Sequence, residues 1–543
     1  MLFRSLDCGN KSPFLAGSPA CPKCGSFWRE ATYDYAALAF SLPIMLPGRP
    51  FDLWRYRELL PIRDPNPDYS LGEGGTPLIH AKNLGMMLGL PHLYIKDERQ
   101  GPTHSFKDRQ AALMIASLKE AGITEMVCAS TGNVAIAYSA FAARAGIKLW
   151  AFITSLVPAA KMREVAIYGT QVVKVTGTYD EAKQLAAEFA KQRNLFLDMG
   201  ARSIPCIEAM KTLSFEISEQ LTTHLADSSI PVPEGALWNH PDWYIQSVSG
   251  GMGPLGVIKG FRELQLMGMT KDQPKIGIVQ VEGCAPMVHA WHQKQEVAVP
   301  VKNPRTLIAT LATGDPGRTY TLIQQKMRAA NGGSIESCTD EEAFRAMHLL
   351  AKMEGISVEP AAAVSFAGLV KMVRAGTIKP EEMVVVNCTG HTMPIERNIL
   401  GEGWERNINL AADNMTEDGR EEGLLSALSN VAIDRFPRIA IVDDEPNVRV
   451  LVRRILQSQG NYQLFEASDG KSAVDMITRE RPDLVILDLM MPDMDGFQVM
   501  DALQKHTETK DIPIIVITAK ELTPAEKERS EERRVGKECR SRW

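Results

Sequence analysis

Two long stretches of this chain alternate short β-branched runs with longer helical patterns, which restricts it to α/β architecture built on parallel sheets. In the first, residues 36–408, MVCAS is followed by a helical pattern through Ala145, then KLWAFI, another helical pattern and QVVKV. In the second, RIAIVDD, YQLFEA, DLVILDL and PIIVITA alternate with helical segments in the same way. Between them lies NLAADNMTEDGREEGLLSALSN, within residues 409–436. It is polar, acidic and strandless, and predicts a linker with a short helix near Leu424–Leu428. At 543 residues the chain exceeds what one hydrophobic core supports, so at least two domains are expected.

Composition excludes several classes. A net charge of -6 offers no basic field to nucleic acid. No apolar run reaches the roughly 18 residues of a membrane span, and MLFRSLDCGN lacks the apolar core of a signal peptide, so a cytoplasmic location off the membrane is expected. Nine cysteines are too sparse for a disulfide framework, but Cys8, Cys21 and Cys24 are spaced like metal ligands. Residues 1–35, with LDCGN and CPKCG, resemble the small zinc ribbon that opens many threonine synthases, in which two Cys-x-x-Cys pairs supply four thiolates. Here Ser5 stands where the partner of Cys8 would be, so a degenerate, metal-free ribbon is expected ahead of one that holds zinc.

Four motifs carry chemistry in residues 36–408. In KDERQGPTHSFKDRQ, residues 96–110, Lys107 follows small hydroxylated residues at the start of a helical pattern. Helix N-termini and hydroxyls suit phosphate, and a buried amine is easily neutralised; taken alone, Ser-Phe-Lys-Asp-Arg could equally be an exposed helix start. In VCASTGNVAIAYSAFAARAG, Ser130, Thr131, Gly132 and Asn133 sit between a strand and an Ala-rich helix, where they could bind an anion or cap the turn. QSVSGGMGPLGVIKGF places Ser249, Gly250, Gly251, Met252 and Gly253 after a strand, allowing backbone N–H groups to approach an anion. A dinucleotide-binding reading of that loop fails, because no acidic residue is well placed after a following strand. In EEMVVVNCTGHTM a buried-type strand ends at Thr389.

In this order the four motifs resemble fold-type II pyridoxal-phosphate (PLP) enzymes, the group that includes threonine synthase, serine and threonine dehydratases, cysteine synthase and the tryptophan synthase β chain. The resemblance implies a two-lobed fold with Lys107 as the catalytic Schiff-base lysine. It gives the substrate carboxylate to Ser130, Thr131 and Gly132, the cofactor's phenolic oxygen to Asn133, its phosphate to Ser249–Gly253 and its pyridine nitrogen to Thr389. LGEGGTPLI at 71–79 and VEPAAAVSFAGL at 358–369 resemble the threonine synthase branch, which converts O-phospho-L-homoserine and water to L-threonine and phosphate. That branch implies Lys161 and Ser155 as candidate ligands of the departing phosphate. The chain departs from the branch at GARSIPCIEAMKT. Ile207, Glu208, Lys211 and Thr212 keep the register of its Ile-Glu-x-x-Lys-Thr run, but Cys206 replaces an arginine, and Gly200 and Ser203 replace asparagines. Arg202 is a neighbouring substitute for the lost cation. The departure leaves open β-replacement or dehydration of another amino acid, and a non-catalytic amino-acid sensor.

Residues 437–528 resemble the response-regulator receiver domain, a flavodoxin-like (CheY-like) doubly wound fold. The residues that carry the resemblance are RIAIVDDEPNVRVLVRRIL and PDLVILDLMMPDMDGFQVM. Carboxylates at the ends of parallel strands can meet around a hard divalent ion. The resemblance implies that Asp443, Asp444 and Asp488, with the carbonyl of Met490, hold Mg2+. It further implies that Asp488 accepts a phosphoryl group, that Thr518 is the switch hydroxyl, and that the partner is a sensor histidine kinase. The usual next strand with its lysine, and the closing helix, are not found, so the receiver is expected to be incomplete at the C-terminus. Residues 529–543, RSEERRVGKECRSRW, resemble a translated sequencing adapter and are set apart from biology. An amino-acid substrate and a homodimer complete the expected partners.

Overall fold

The computed structural model describes the chain outside residues 17–19, 131, 155–156, 158, 177–178, 226–230, 392–436, 460–461, 507–508, 511 and 518–543. Thr131, Ser155, Thr518, the linker and the C-terminal tail therefore lie outside the described residues. The chain divides into two units, Met1–Glu402 and Gly403–Trp543. The expected boundary at 408 lies outside the described residues. Among the described residues no helix is long and apolar enough to cross a membrane.

The first unit has two lobes, each built on a sheet. The larger sheet runs in the order Gly333–Cys338, Lys275–Val281, Trp243–Ser247, Val384–Cys388, Leu93–Asp97 and Leu78–His80. All neighbours are parallel except the last pair. Val384, Val385 and Val386 are each 0% exposed, as expected of a continuous apolar run in a sheet covered on both faces. The smaller sheet is parallel, in the order Gln171–Val175, Lys148–Thr154, Glu125–Ser130 and Phe196–Leu197. Helices Lys107–Glu120 and Asn133–Ala145 pack in its core, and Gly146 closes the second in the left-handed conformation.

Two buried ionic clusters lie within this unit. Lys96 Nζ donates to Glu216 at 2.7 Å, and Arg109 donates to Glu98 and to Glu216 at 2.7 Å each. Lys211 and Lys259 pair with Glu208 and Glu263 at 2.6–2.9 Å. Glu208 also accepts from the backbone N–H of Ala31 and the Tyr33 hydroxyl. The N-terminal residues form an antiparallel sheet, Lys11–Pro13, Leu2–Ser5 and Arg29–Thr32, and this second cluster anchors it to the enzyme body. Glu208 and Lys211, in the Ile-Glu-x-x-Lys-Thr register, thus have a structural role here. The sulfurs of Cys8, Cys21 and Cys24 lie within 4.8 Å of one another, and the Ser5 hydroxyl is 3.5 Å from Cys24 Sγ. A hydroxyl takes the fourth side, where a structural zinc site would have a thiolate or imidazole.

The second unit has four parallel strands in the order Gln463–Ala467, Arg438–Val442, Leu484–Leu487 and Ile514–Val516. Strand one lies between strands two and three, which opens a crevice at their carboxyl ends.

Candidate active site

Lys107 is the first residue of its helix, and the loop before it is tied down on two sides. On one side, Phe106 N–H donates to the Thr389 carbonyl at 3.1 Å, and Ser105 bridges Gly390. On the other, the Asp108 carboxylate accepts from the backbone N–H of Thr103 at 3.0 Å and from the Thr103 hydroxyl. A Cβ on Gly101 would come within 2.4 Å of Asp108 Oδ2, so a side chain there would push the carboxylate off the loop. Burial pushes the Asp108 carboxyl up to about 7. Asp108 therefore staples the loop, and Ser-Phe-Lys-Asp-Arg is not an exposed helix start.

The Lys107 amine stands 4.0 Å from the centre of the Phe106 ring and makes no ion pair among the described residues. Burial lowers it to about 8, against the opposing pull of the Asp198 and Glu359 carboxylates. Only the neutral amine can attack a carbonyl, so uptake of a carbonyl compound by the cofactor-free protein should rise about tenfold per pH unit and level off near pH 8. An unperturbed lysine would still be gaining at about pH 10. Stopped-flow absorbance across pH distinguishes the two profiles.

The glycine loop follows the strand Trp243–Ser247 and opens the helix Met252–Leu266. Gly251 has φ +84°, and a Cβ there would press on Ile323 and Met287 at 2.8 and 2.9 Å. A Cβ on Gly253 would come within 2.5 Å of Gln246 Nε2. Ser249 Oγ contacts the Thr313 hydroxyl. The loop therefore turns bare backbone toward the space before a helix N-terminus, an arrangement that favours an anion.

Asn133 opens its helix beside Lys161 and Glu359. Its Oδ1 accepts from Lys161 Nζ at 2.6 Å, and its Nδ2 donates to Glu359 Oε1 at 2.7 Å. Lys161 Nζ also reaches Glu359 Oε2 at 3.0 Å. Ser130, by contrast, is 1% exposed, and its Oγ accepts from the N–H groups of Gly132 and Ala135 at 3.0 Å each. Ser130, Gly132 and Lys161 do not line the cavity that Asn133 lines.

That cavity encloses about 560 Å³ and brings together Lys107, Asn133, the loop Ser249–Gly253 and Thr389. Asp198, Arg202, Gln246 and Glu359 line it as well. Its volume suits a small aromatic cofactor and an amino acid together. Residues 69–390 match the family described as pyridoxal-phosphate dependent enzymes.

The chain belongs to this family.

This PLP-dependent enzyme is 34% identical over 393 residues to the threonine synthase of Methanocaldococcus jannaschii, covering 72% of this chain and 92% of the relative. It is 32% identical over 399 residues to the threonine synthase of Methanosarcina acetivorans, covering 73% and 93%. Among solved structures, diaminopropionate ammonia lyase from Escherichia coli matches with a TM-score of 0.52 at 15% identity, covering 71% of this chain and 95% of that one. Threonine deaminase isoform 2 from Solanum lycopersicum matches at 0.50 and 20%, covering 71% and 91%. At these identities the structural likeness speaks to the fold alone. The geometry fits PLP: a partly neutral lysine amine, a glycine loop with no room for a Cβ at Gly251 or Gly253, and a hydroxyl at Thr389 meet at one space.

Residues 439–532 match the response regulator receiver domain, so the chain joins a PLP enzyme to a receiver. There the carboxylates of Asp443, Asp444 and Asp488 lie within 4.8 Å of one another. Burial, with the charges of Asp488 and Asp444 beside it, pushes the Asp443 carboxyl up, as expected of acids gathered for a cation.

Sequence reasoning did not assign Glu359 or Asp198. The motif VEPAAAVSFAGL contains Glu359, but a Glu-Pro pair at a helix start looks like capping. In the structure no cap bond from its side chain is present, and the carboxylate faces Asn133 and Lys161 instead.

Proposed function

We propose that the first unit catalyses the threonine synthase reaction, converting O-phospho-L-homoserine and water to L-threonine and phosphate. The observation that carries this reading is the meeting of Lys107, Asn133, Ser249–Gly253 and Thr389 on one cavity, in a chain whose relatives are threonine synthases. PLP, when bound, supplies an electron sink for charge developing at the substrate's α-carbon. The Lys107 amine, near neutrality at about 8, takes the α-proton and then a β-proton. Phosphate leaves from the γ-carbon, and the two protons return at the γ- and α-carbons. Water adds its hydroxyl at the β-carbon, while its remaining proton goes to the released phosphate. The loop Ser249–Gly253 and the N-terminus of the helix behind it would hold the cofactor phosphate, and Thr389 would partner its pyridine nitrogen. The N-terminus of Asn133–Ala145 offers N–H groups to the substrate carboxylate. Arg202, exposed on the cavity rim, supplies a cation for the departing phosphate. Threonine and inorganic phosphate, formed in equal amounts from O-phosphohomoserine by the PLP-loaded protein, are the expected products.

A second reading rests on Cys206. It is 0% exposed, 3.5 Å from Asp198 Oδ1 and 3.5 Å from the Tyr138 hydroxyl, so the wall carries the Asp198 carboxylate, backed by a buried thiol at the position where the branch has an arginine. A smaller, uncharged leaving group suits that wall. Faster turnover of serine or threonine than of O-phosphohomoserine would select this reading.

For the receiver we infer that Asp443, Asp444 and Asp488, with the Met490 carbonyl, hold Mg2+, and that Asp488 accepts a phosphoryl group from a partner kinase. Asp488→Asn should abolish labelling by a small phosphoryl donor in the presence of Mg2+, read by intact-mass measurement. Labelling that persists in the variant would remove Asp488 from this role.

A further inference from the structure

We propose that Lys161 and Glu359 are positioning residues that fix the direction of the Asn133 amide, so that it presents a donor to the cavity. The inference rests on the reading of this cavity as the PLP site, and assigns Lys161 a role other than phosphate ligand. An ammonium can only donate and a carboxylate can only accept. With Lys161 Nζ at 2.6 Å and Glu359 Oε1 at 2.7 Å, the amide has one stable orientation, with its oxygen toward lysine and its nitrogen toward glutamate. The opposite orientation sets NH2 against an ammonium and oxygen against a carboxylate, losing two charge-assisted hydrogen bonds for two repulsions.

Water cannot relax this choice, because the Lys161 and Glu359 side chains are only 3% and 4% exposed. The amide nitrogen has a second hydrogen, and Asn133 lines the cavity. The device thus holds a neutral N–H donor toward an acceptor of negative character, which the phenolic oxygen of PLP provides.

Two further observations make the arrangement specific. Lys161 and Asn133 belong to the lobe of the smaller sheet, whereas Glu359 begins the helix Pro360–Arg374, packed in the core of the larger one. The contact therefore forms only when the two lobes face each other across the site. Glu359 N–H donates to the Gly390 carbonyl at 3.2 Å, and a Cβ on Gly390 would come within 2.5 Å of Glu359 Oε1. The glycine after Thr389 is thus what lets this carboxylate reach the amide.

The test is a PLP titration read by visible absorbance, together with the pH midpoint of the bound cofactor's spectrum. It compares the wild type, Lys161→Gln, Glu359→Gln and Asn133→Ala, with Asn133→Ala also added to each of the first two variants. Lys161→Gln and Glu359→Gln should each weaken PLP binding about tenfold and shift the midpoint. Asn133→Ala should cost about tenfold in the wild type but only about threefold in either variant, because one of the two charged partners that direct the amide is already gone there. Where a single variant unfolds by orphaning a buried charge, the double variant Lys161→Met/Glu359→Gln removes both charges together and carries the same expectation. Unchanged affinity and midpoint overturn the proposal, as does a Lys161→Gln effect confined to the KM for O-phosphohomoserine. A wild type that takes up no PLP overturns the functional reading and this proposal with it.

Discussion

Lys107→Ala is expected to lower kcat by at least about a thousandfold, because it removes both the amine that engages the cofactor and the base that moves protons at the substrate. Lys107 differs from the other buried lysines in its partners. Lys96, Lys211 and Lys259 are also buried, but each is ion-paired to glutamates within 3 Å. Burial lowers Lys96 and Lys211 as well, but in each the nitrogen is taken up by its carboxylate partners and is not free to attack a carbonyl. Lys107 has no such partner among the described residues, and burial, only partly offset by the pull of the Asp198 and Glu359 carboxylates, brings it to about 8. The variant should still bind PLP noncovalently through the loop Ser249–Gly253, so the loss should appear in turnover rather than in cofactor retention. Turnover in the variant above about a tenth of the wild type would contradict this assignment.

Glu208→Ala should give the largest loss of stability, about 3–5 kcal/mol, read from the first transition in denaturant. Glu208 is 0% exposed and is shared by Lys211 and Lys259; burial pushes its carboxyl up, but the two ammonium groups outweigh this and hold it low. Its removal leaves two buried cations facing Glu263 alone. It also releases the Ala31 N–H and the Tyr33 hydroxyl, so the N-terminal sheet should become sensitive to protease. A double variant, Glu208→Gln/Lys211→Met, removes opposite charges together and should recover part of the loss. A penalty under about 1 kcal/mol would show that the cluster is not what fastens the N-terminal sheet.

The strands were legible where burial on both faces leaves a continuous apolar run. VVVNC and WYIQS lie in the middle of the larger sheet as such runs should, and DLVILDL delivers Asp488 to the end of a receiver strand. The meeting of Lys107 with the glycine loop and Thr389 was legible for a related reason: parallel strands deliver the residues at their carboxyl ends to one edge. What escaped was chemistry set by tertiary partners. Nothing local marks Glu359 as facing an asparagine and a lysine from the other lobe. The Ser-Thr-Gly-Asn turn admitted both capping and anion binding, and the bonds of Ser130 to Gly132 and Ala135 show capping in use at that hydroxyl. Glu208 and Lys211 were visible as a family register, but their burial against Tyr33 depends on an N-terminal sheet that the sequence marked only as a cysteine-spaced ribbon remnant.

The central claim is that Lys107 carries the cofactor of a PLP enzyme, and the most direct measurement is borohydride reduction of the PLP-loaded protein followed by peptide mass mapping. A single reduced pyridoxyl-phosphate adduct is expected on the peptide containing Ser-Phe-Lys107-Asp-Arg, absent from Lys107→Ala. An adduct on Lys96, Lys161 or Lys211, or a protein that acquires none, would contradict it.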